Sequence, residues 1–193
     1  MKLLSNHTAI NILAQGFPLA IAKGDIDGAS LVHKFGEVTN VDTGDGWVDV
    51  FDQNANTDKT YAYSTIADID SLSSSNVGDT QDIEVQGLDA NWDLTVQTIT
   101  LTGQTRVALT TSLIRVFRMK NVGTTDFAGD VYCYVNGAIT AGVPDTSGDI
   151  RALVQDGNNQ TLMFLYTIPN NKTGYIFRRW ASINAKVAGY MGI

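Results

Sequence analysis

Three carboxylates fall within eight residues at Asp42, Asp45 and Asp49, with Asp52 and Asp58 beyond. Such a run invites calcium, which takes about six to eight oxygen ligands. The pattern fails inside the run, where Gly44 and Gly46 replace acids and no Glu closes the loop. An acidic turn opening a strand fits better, and Asp25-Ile26-Asp27-Gly28 reads the same way. Paired carboxyls across a cleft would hydrolyse a glycosidic bond. The chain has only two glutamates, Glu37 and Glu84, and no segment marks a place where one carboxyl would be held protonated. For nucleophilic chemistry there are His7, His33 and one cysteine, Cys133. A reactive thiol needs an electropositive, partly open setting. Cys133 between Tyr132 and Tyr134 reads instead as a small core residue. Neither a Gly-x-Ser-x-Gly elbow, nor a phosphate-cradling Gly-x-x-x-x-Gly-Lys loop, nor a paired-His helix occurs. The expectation is a non-enzyme with no catalytic residue, no cofactor and no metal.

Basic residues offer a second kind of chemistry. Arg106, Arg115, Arg118 and Lys120 form one group, and Arg178-Arg179-Trp180 forms another. Arginine interleaved with aromatics binds single-stranded nucleic acid. It is equally the composition of protein interfaces, and basic side chains on an edge strand discourage stray pairing. The whole chain is acidic, so the interface reading is preferred. The candidate interface residues are Arg106, Arg115, Arg118, Arg178, Arg179 and Trp180, with Tyr190 and Ile193 from the apolar final stretch. The sequons at Asn159-Gln160-Thr161 and Asn171-Lys172-Thr173 carry weight only in a secreted protein.

What must position these residues is bounded by composition. The chain has 193 residues, 20 acidic and 13 basic side chains, and a formal charge of -7. That length suits one domain with a substantial core. The acid excess argues against a dedicated nucleic-acid binder. No apolar run approaches the roughly 18 residues of a membrane span, so neither nucleic acid nor membrane is an expected partner. One cysteine excludes an intrachain disulfide. Met1-Lys2-Leu3-Leu4 and Ala20-Ile21-Ala22 have the outer features of a secretory signal. Polar residues from Ser5 to Thr8, Asn11 and Gln15 interrupt the run between them. Residues 1–30, with Ile10, Ile12 and Leu13, are therefore read as an N-terminal arm, and residues 31–193 as a single domain.

Within that domain, strand formers recur every eight to twelve residues between turn signals, which is the spacing of a β-sandwich. Residues 47–52 and 60–63 read as strands, and residues 66–75 as a loop or short exposed strand because they end in serines. Residues 82–87 alternate strictly, and residues 92–102 return as a hairpin partner. There Leu94 and Val96 share one parity while Ile99 and Leu101 share the other, which predicts a bulge or twist near Gln97-Thr98. Residues 106–109 and 112–119 follow as strands. Residues 131–135 are expected to meet residues 138–140 across Asn136-Gly137, a pair suited to a tight hairpin. Residues 161–168, apolar on both faces, read as a central strand turned by residues 169–174 into residues 175–180. The expected architecture is all-β, a jelly-roll-like two-sheet sandwich. Charge divides unevenly along it: residues 1–105 carry four basic and 15 acidic side chains, residues 106–193 nine and five. Should the halves form separate faces, the asymmetry would steer one subunit against the next.

An ordered series of segments carries a resemblance. Ile83-Glu84-Val85-Gln86-Gly87-Leu88-Asp89-Ala90-Asn91-Trp92, then Thr98-Ile99-Thr100-Leu101-Thr102-Gly103 and Ile114-Arg115-Val116-Phe117-Arg118, are similar to a family of small β-rich virion structural proteins of tailed bacteriophages. Leu31-Val32-His33-Lys34-Phe35-Gly36 and Gly157-Asn158-Asn159-Gln160-Thr161-Leu162, leading to Tyr166-Thr167-Ile168-Pro169, extend the likeness over roughly residues 30–184. The resemblance carries over no functional residue. It implies a virion component assembled in the host cytoplasm, a homo-oligomer whose partners are other virion proteins. The role favoured is a capsid decoration or cement protein bridging coat subunits. A neck, tail or fibre-base component is the alternative. From another class, a carbohydrate-binding β-sandwich would stack Trp47, Trp92 and Trp180 on sugar rings.

Overall fold

A computed structural model describes residues 16–39, 41, 44–51 and 60–182. The chain separates into two compact units, divided between Lys34 and Phe35. In the first, α1 (Phe17–Ala22) is a six-residue helix. Pro18 is tolerated because the first turn has no internal partner for its missing N–H. Lys23-Gly24 stops the helix, with Gly24 at φ 78°. No helix among the described residues is long and apolar enough to cross a membrane. The arm residues Ile10, Ile12 and Leu13 lie outside the described residues.

The second unit is mostly β. Its strands are β1 (Ile69–Ser74), β2 (Asp82–Leu88), β3 (Leu94–Thr100), β4 (Val107–Leu113), β5 (Arg115–Asn121), β6 (Val131–Val135), β7 (Ile139–Thr140), β8 (Val143–Pro144) and β9 (Ile150–Val154). They form a four-stranded antiparallel sheet, β4-β1-β6-β9, a three-stranded antiparallel sheet, β3-β2-β5, and the small hairpin β7-β8. The two main sheets share one core. Leu72, Leu113, Val131, Cys133 and Val154 of the first join Ile83, Val85, Ile99, Val116 and Met119 of the second. The β7-β8 hairpin brings Ile139 and Val143 against Tyr132, Tyr134 and Leu153, on the other side of β6 and β9.

Several local expectations are corrected. Residues 66–75, read as a loop or exposed strand, contain β1, which lies between β4 and β6 with nearly every residue buried. Its serines tolerate burial because each hydroxyl is paired: Ser71 Oγ donates to Asp70 Oδ1 (2.7 Å), Ser73 Oγ to the Gly142 carbonyl (2.7 Å), and Ser74 Oγ to Asp79 Oδ2 (2.5 Å). Of the bulge or twist expected near Gln97-Thr98, the bulge does not occur. β2 and β3 pair in unbroken register from Asp82↔Thr100 to Leu88↔Leu94. Instead, Leu94 and Val96 stand 56% and 54% exposed on the outward side. The irregularity falls on β5, where Phe117 is the extra residue between Arg118↔Gln86 and Val116↔Gly87.

Asn136-Gly137 does not join paired strands either. The tight turn is Ala141-Gly142, at φ 49° and 79°, between Thr140 and its partner Val143. Two positive φ values match the right-handed twist of a hairpin. A Cβ on Gly142 would lie 1.9 Å from the Ser74 carbonyl, so only glycine fits.

Residues 47–51 and 60–63 form no strand, although Phe51 and Tyr61 enter the core; Asp52 lies outside the described residues. Residues 161–168 are not a central strand. They are extended, bound at one end by the Gln160↔Lys120 bridge, with Thr161 and Met163 buried and Phe164, Tyr166 and Ile168 exposed. Residues 175–180 also pair with no strand.

Candidate interaction surface

Arg115 opens β5 on the face of the three-stranded sheet that points away from the core, opposite Leu88. Its guanidinium lies between two rings, 5.0 Å from the Tyr63 centroid and 4.8 Å from that of Trp92. Its Nη1 donates to the carbonyls of Ser64 (2.5 Å) and Ile114 (2.7 Å). A planar cation between aromatic faces gains both quadrupole attraction and contact area. Trp92 reaches this place at φ 65°, a strained conformation for a bulky residue. Three contacts hold it there: its N–H donates to the Asp89 carbonyl (3.0 Å), its carbonyl accepts from Asn170 N–H (2.8 Å), and its ring covers Arg115. Asp89 Oδ1 fixes the same turn by accepting from the Asn91 and Asp93 amides.

Ser64 is held from both sides. Arg151, the extra residue at a β9 bulge, is buried and donates from Nε to Ser64 Oγ (3.1 Å). It also donates to the Gly148 carbonyl, while its own carbonyl accepts from the Tyr61 hydroxyl (3.0 Å). Burial pushes the Tyr61 phenol well above its ordinary range. The Arg115 and Arg151 guanidiniums therefore tie the 60–66 loop to β5 and β9.

The other candidate interface residues divide between locations. Arg118, outward on β5, donates to Gln160 Oε1 (3.3 Å). Beside it, Lys120 pairs with Glu84 (3.3 Å), and Gln86 donates to the same carboxylate (2.7 Å). The Gln86 hydrogen bond first, and Lys120 second, hold the Glu84 carboxyl below the usual carboxylate range. Arg106 precedes β4 in the other sheet and donates to Asn136 Oδ1. Arg178, Arg179 and Trp180 lie in the exposed 175–182 segment, with the Arg178 guanidinium 6.0 Å from the Trp180 ring. The structure thus brings Arg115 and Arg118 to one face and puts Arg106 on the other sheet. Tyr190 and Ile193 lie outside the described residues. Of the three tryptophans, Trp92 has its face taken by Arg115, while Trp47 and Trp180 are 85% and 75% exposed.

The carboxylates are engaged within the chain. Asp49 Oδ2 accepts from the Tyr61 N–H (2.8 Å), so the acidic run pins a loop; Asp42 and Asp52 lie outside the described residues. Asp25 faces Lys23 at 3.8 Å. No group of three or more His, Cys, Asp or Glu among the described residues is arranged to hold a metal. Cys133 is fully buried, and burial pushes its thiol far above the ordinary value. His33 is exposed, and His7 lies outside the described residues. The Asn159 side chain of the first sequon donates to Asp126 (2.7 Å) and accepts from Asn121 and Phe127.

The roles of two polar residues, one buried and one half-buried, escaped the sequence reading. Asp79, with no exposure, accepts from Ser74 Oγ and from the amides of Ala128 (2.8 Å) and Gly129 (3.2 Å). Gln97 donates to and accepts from the Thr111 backbone, at 2.9 and 3.0 Å, and so links β3 to β4. Most of their partners lie 14 to 50 residues away, beyond any local sequence signal, and only Ser74 is near Asp79 in the chain. The feature that most resembles a functional surface is apolar. Tyr175, Ile176, Phe177 and Trp180 are 78%, 83%, 55% and 75% exposed, and Phe164, Tyr166 and Ile168 precede them. No protein-family model matches the chain, and neither a curated protein nor a solved structure matches it.

Proposed function

We propose that this chain is a non-enzymatic structural subunit of a tailed-phage virion, a capsid decoration protein that bridges coat subunits. The observation that carries the reading is the row of exposed apolar side chains from Phe164 to Trp180. Large apolar side chains exposed in such number along one stretch of chain favour a site of association. The intramolecular engagement of Asp49, Asp79, Glu84, Arg115 and Arg151 supports the same reading, because it uses charge to fasten loops to a rigid frame. Many weak copies of one contact on a shell add up through avidity.

The finer topology supports a jelly roll. From β1 to β6 the chain changes sheet at every step except the β2–β3 hairpin. β1 lies between β4 and β6, and β2 lies between β3 and β5. This is the order of the last six strands of an eight-stranded jelly roll. β9 beside β6, and residues 159–161 beside β5, fill the two remaining places. The strands that open an ordinary roll thus come last here.

Mass spectrometry of purified particles whose genome encodes the chain tests the proposal. Many copies per particle, with shells that lose heat resistance when the gene is deleted, are the expected result. Absence from particles overturns it. Localisation to a neck, tail or fibre base would keep the virion reading and move its site.

A further inference from the structure

Asn136-Gly137 is the only Asn-Gly pair in the sequence, and it closes no hairpin. It lies between β6 and β7, with Asn136 exposed. Three features of its surroundings bear on the reactivity of such a pair. Arg106 Nη1 donates to Asn136 Oδ1. A guanidinium on an amide oxygen draws electrons from Cγ and stabilises negative charge that develops on that oxygen. The Gly137 N–H, the internal nucleophile for Cγ, has no acceptor among the described residues. Glycine also leaves that nitrogen unscreened by a side chain. Lastly, Asp149 Oδ2 lies 3.2 Å from the place a Cβ on Gly137 would take. Asp149 ends the 3-10 turn Ser147–Asp149 and is half-buried, and no donor among the described residues holds its carboxylate. In this it differs from Asp49, Asp79 and Glu84, whose carboxylates are taken up. An unengaged carboxylate beside a reacting N–H is placed as a general base.

We propose that Asn136-Gly137 is a self-modification site, at which the folded chain converts Asn136 into an acidic residue with the help of Arg106 and Asp149. The Gly137 nitrogen attacks Cγ of Asn136 and forms an N–Cγ bond while Asp149 takes the amide proton. Arg106 holds the oxyanion of the tetrahedral intermediate. The Cγ–Nδ2 bond then breaks, the proton passes to the departing nitrogen, and ammonia leaves behind a five-membered succinimide. Water opens either ring carbonyl. One opening gives an aspartyl residue, and the other an isoaspartyl residue whose main chain carries an extra methylene. The sum is water taken up and ammonia released, with no oxidation or reduction. The aspartyl product turns the Arg106 contact into an ion pair, and the isoaspartyl product lengthens the connection to the β7-β8 hairpin. The reaction occurs once per chain, needs no partner, and does not depend on the virion role.

Incubation of the full chain at neutral pH, folded and in guanidinium chloride, tests this. Peptide mass spectrometry reads the exchange of amide for acid, and isoaspartyl methyltransferase labelling reads the isoaspartyl product. Expected is exchange at position 136 about tenfold faster in the folded chain than in the unfolded one. Arg106→Gln and Asp149→Asn each slow the folded chain by about tenfold, whereas Arg106→Lys, which keeps a charged donor, retains most of the rate. Both side chains lie outside the core, and circular dichroism checks that each variant is folded. Exchange no faster in the folded chain than in the unfolded one overturns the proposal. So does a folded Arg106→Gln or Asp149→Asn chain that exchanges at the parent's rate.

Discussion

Replacing Asp79 with alanine should be among the most damaging single changes outside the apolar core. The carboxylate has no exposure and is compensated by three hydrogen bonds, from Ser74 Oγ and from the Ala128 and Gly129 amides. These join the β1–β2 connection to the loop that precedes β6. Hydrogen bonds to a charged group contribute about 1.5–3 kcal/mol each, and a buried amide left unpaired costs about 1–3 kcal/mol. Part of this is offset because alanine no longer needs a charge kept out of water. The net expectation is a loss of about 3–4 kcal/mol. Asp79→Asn keeps one acceptor but turns an N–H donor toward groups that already donate, so about 1–3 kcal/mol is expected. Asp145→Ala, at an exposed carboxylate, is the control and should stay within about 0.5 kcal/mol of the parent. Urea denaturation measures all three. The midpoint should fall in the order control, Asn, Ala, with an unchanged slope. An Asp79→Ala protein as stable as the control would refute the claim that this carboxylate fastens the two loops.

Four further outcomes are expected. Gly142→Ala should prevent folding or cost more than about 3 kcal/mol, because a Cβ there meets the Ser74 carbonyl. Gly157→Ala, also at positive φ but with open space, should cost about 1 kcal/mol by the same denaturation assay. Arg115→Lys keeps the charge and loses the planar stack, so stability should drop by about 1–2 kcal/mol and tryptophan emission should shift as Trp92 is uncovered. The Glu84 carboxyl titrates below its ordinary value when folded, so its contribution is present above the unfolded pKa and disappears as pH falls through the folded one. The midpoint difference between parent and Glu84→Gln should therefore shrink between neutral pH and the acid range. Cys133 should resist Ellman's reagent in the native protein and react only on unfolding; prompt labelling would contradict its burial.

The all-β character and most strand positions were legible in the sequence, because alternation and turn residues are local signals. β2, β5 and β6 lie close to where their patterns put them. β1 was hidden because its serines read as surface residues, while Ser73 finds partners as distant as Tyr134 and Gly142 and Ser74 reaches Asp79 in the connection that follows. The parity change in β3 was visible, but its meaning was not. A strand can bulge to bury all its apolar residues, or stay regular and expose some, and β3 does the second. The hairpin turn was misplaced because Asn-Gly is the usual source of two positive φ values. Here close approach to the Ser74 carbonyl puts Gly142, and with it Ala141, in that role. The arginines were recognised as a group by composition. Composition did not reveal that Arg115 lies stacked between Tyr63 and Trp92, while Arg178 and Arg179 lie in an exposed segment. Residues 161–168 looked like a central strand because a run of apolar side chains reads the same whether the chain buries it or leaves part of it exposed.

Under the proposed virion role, a reconstruction of particles assembled with this chain tests the account most directly. The account predicts repeated density for the two sheets on the outer shell, with residues 175–180 in contact with another protein chain. A particle without that density, or with those side chains facing open solvent in every copy, would contradict it.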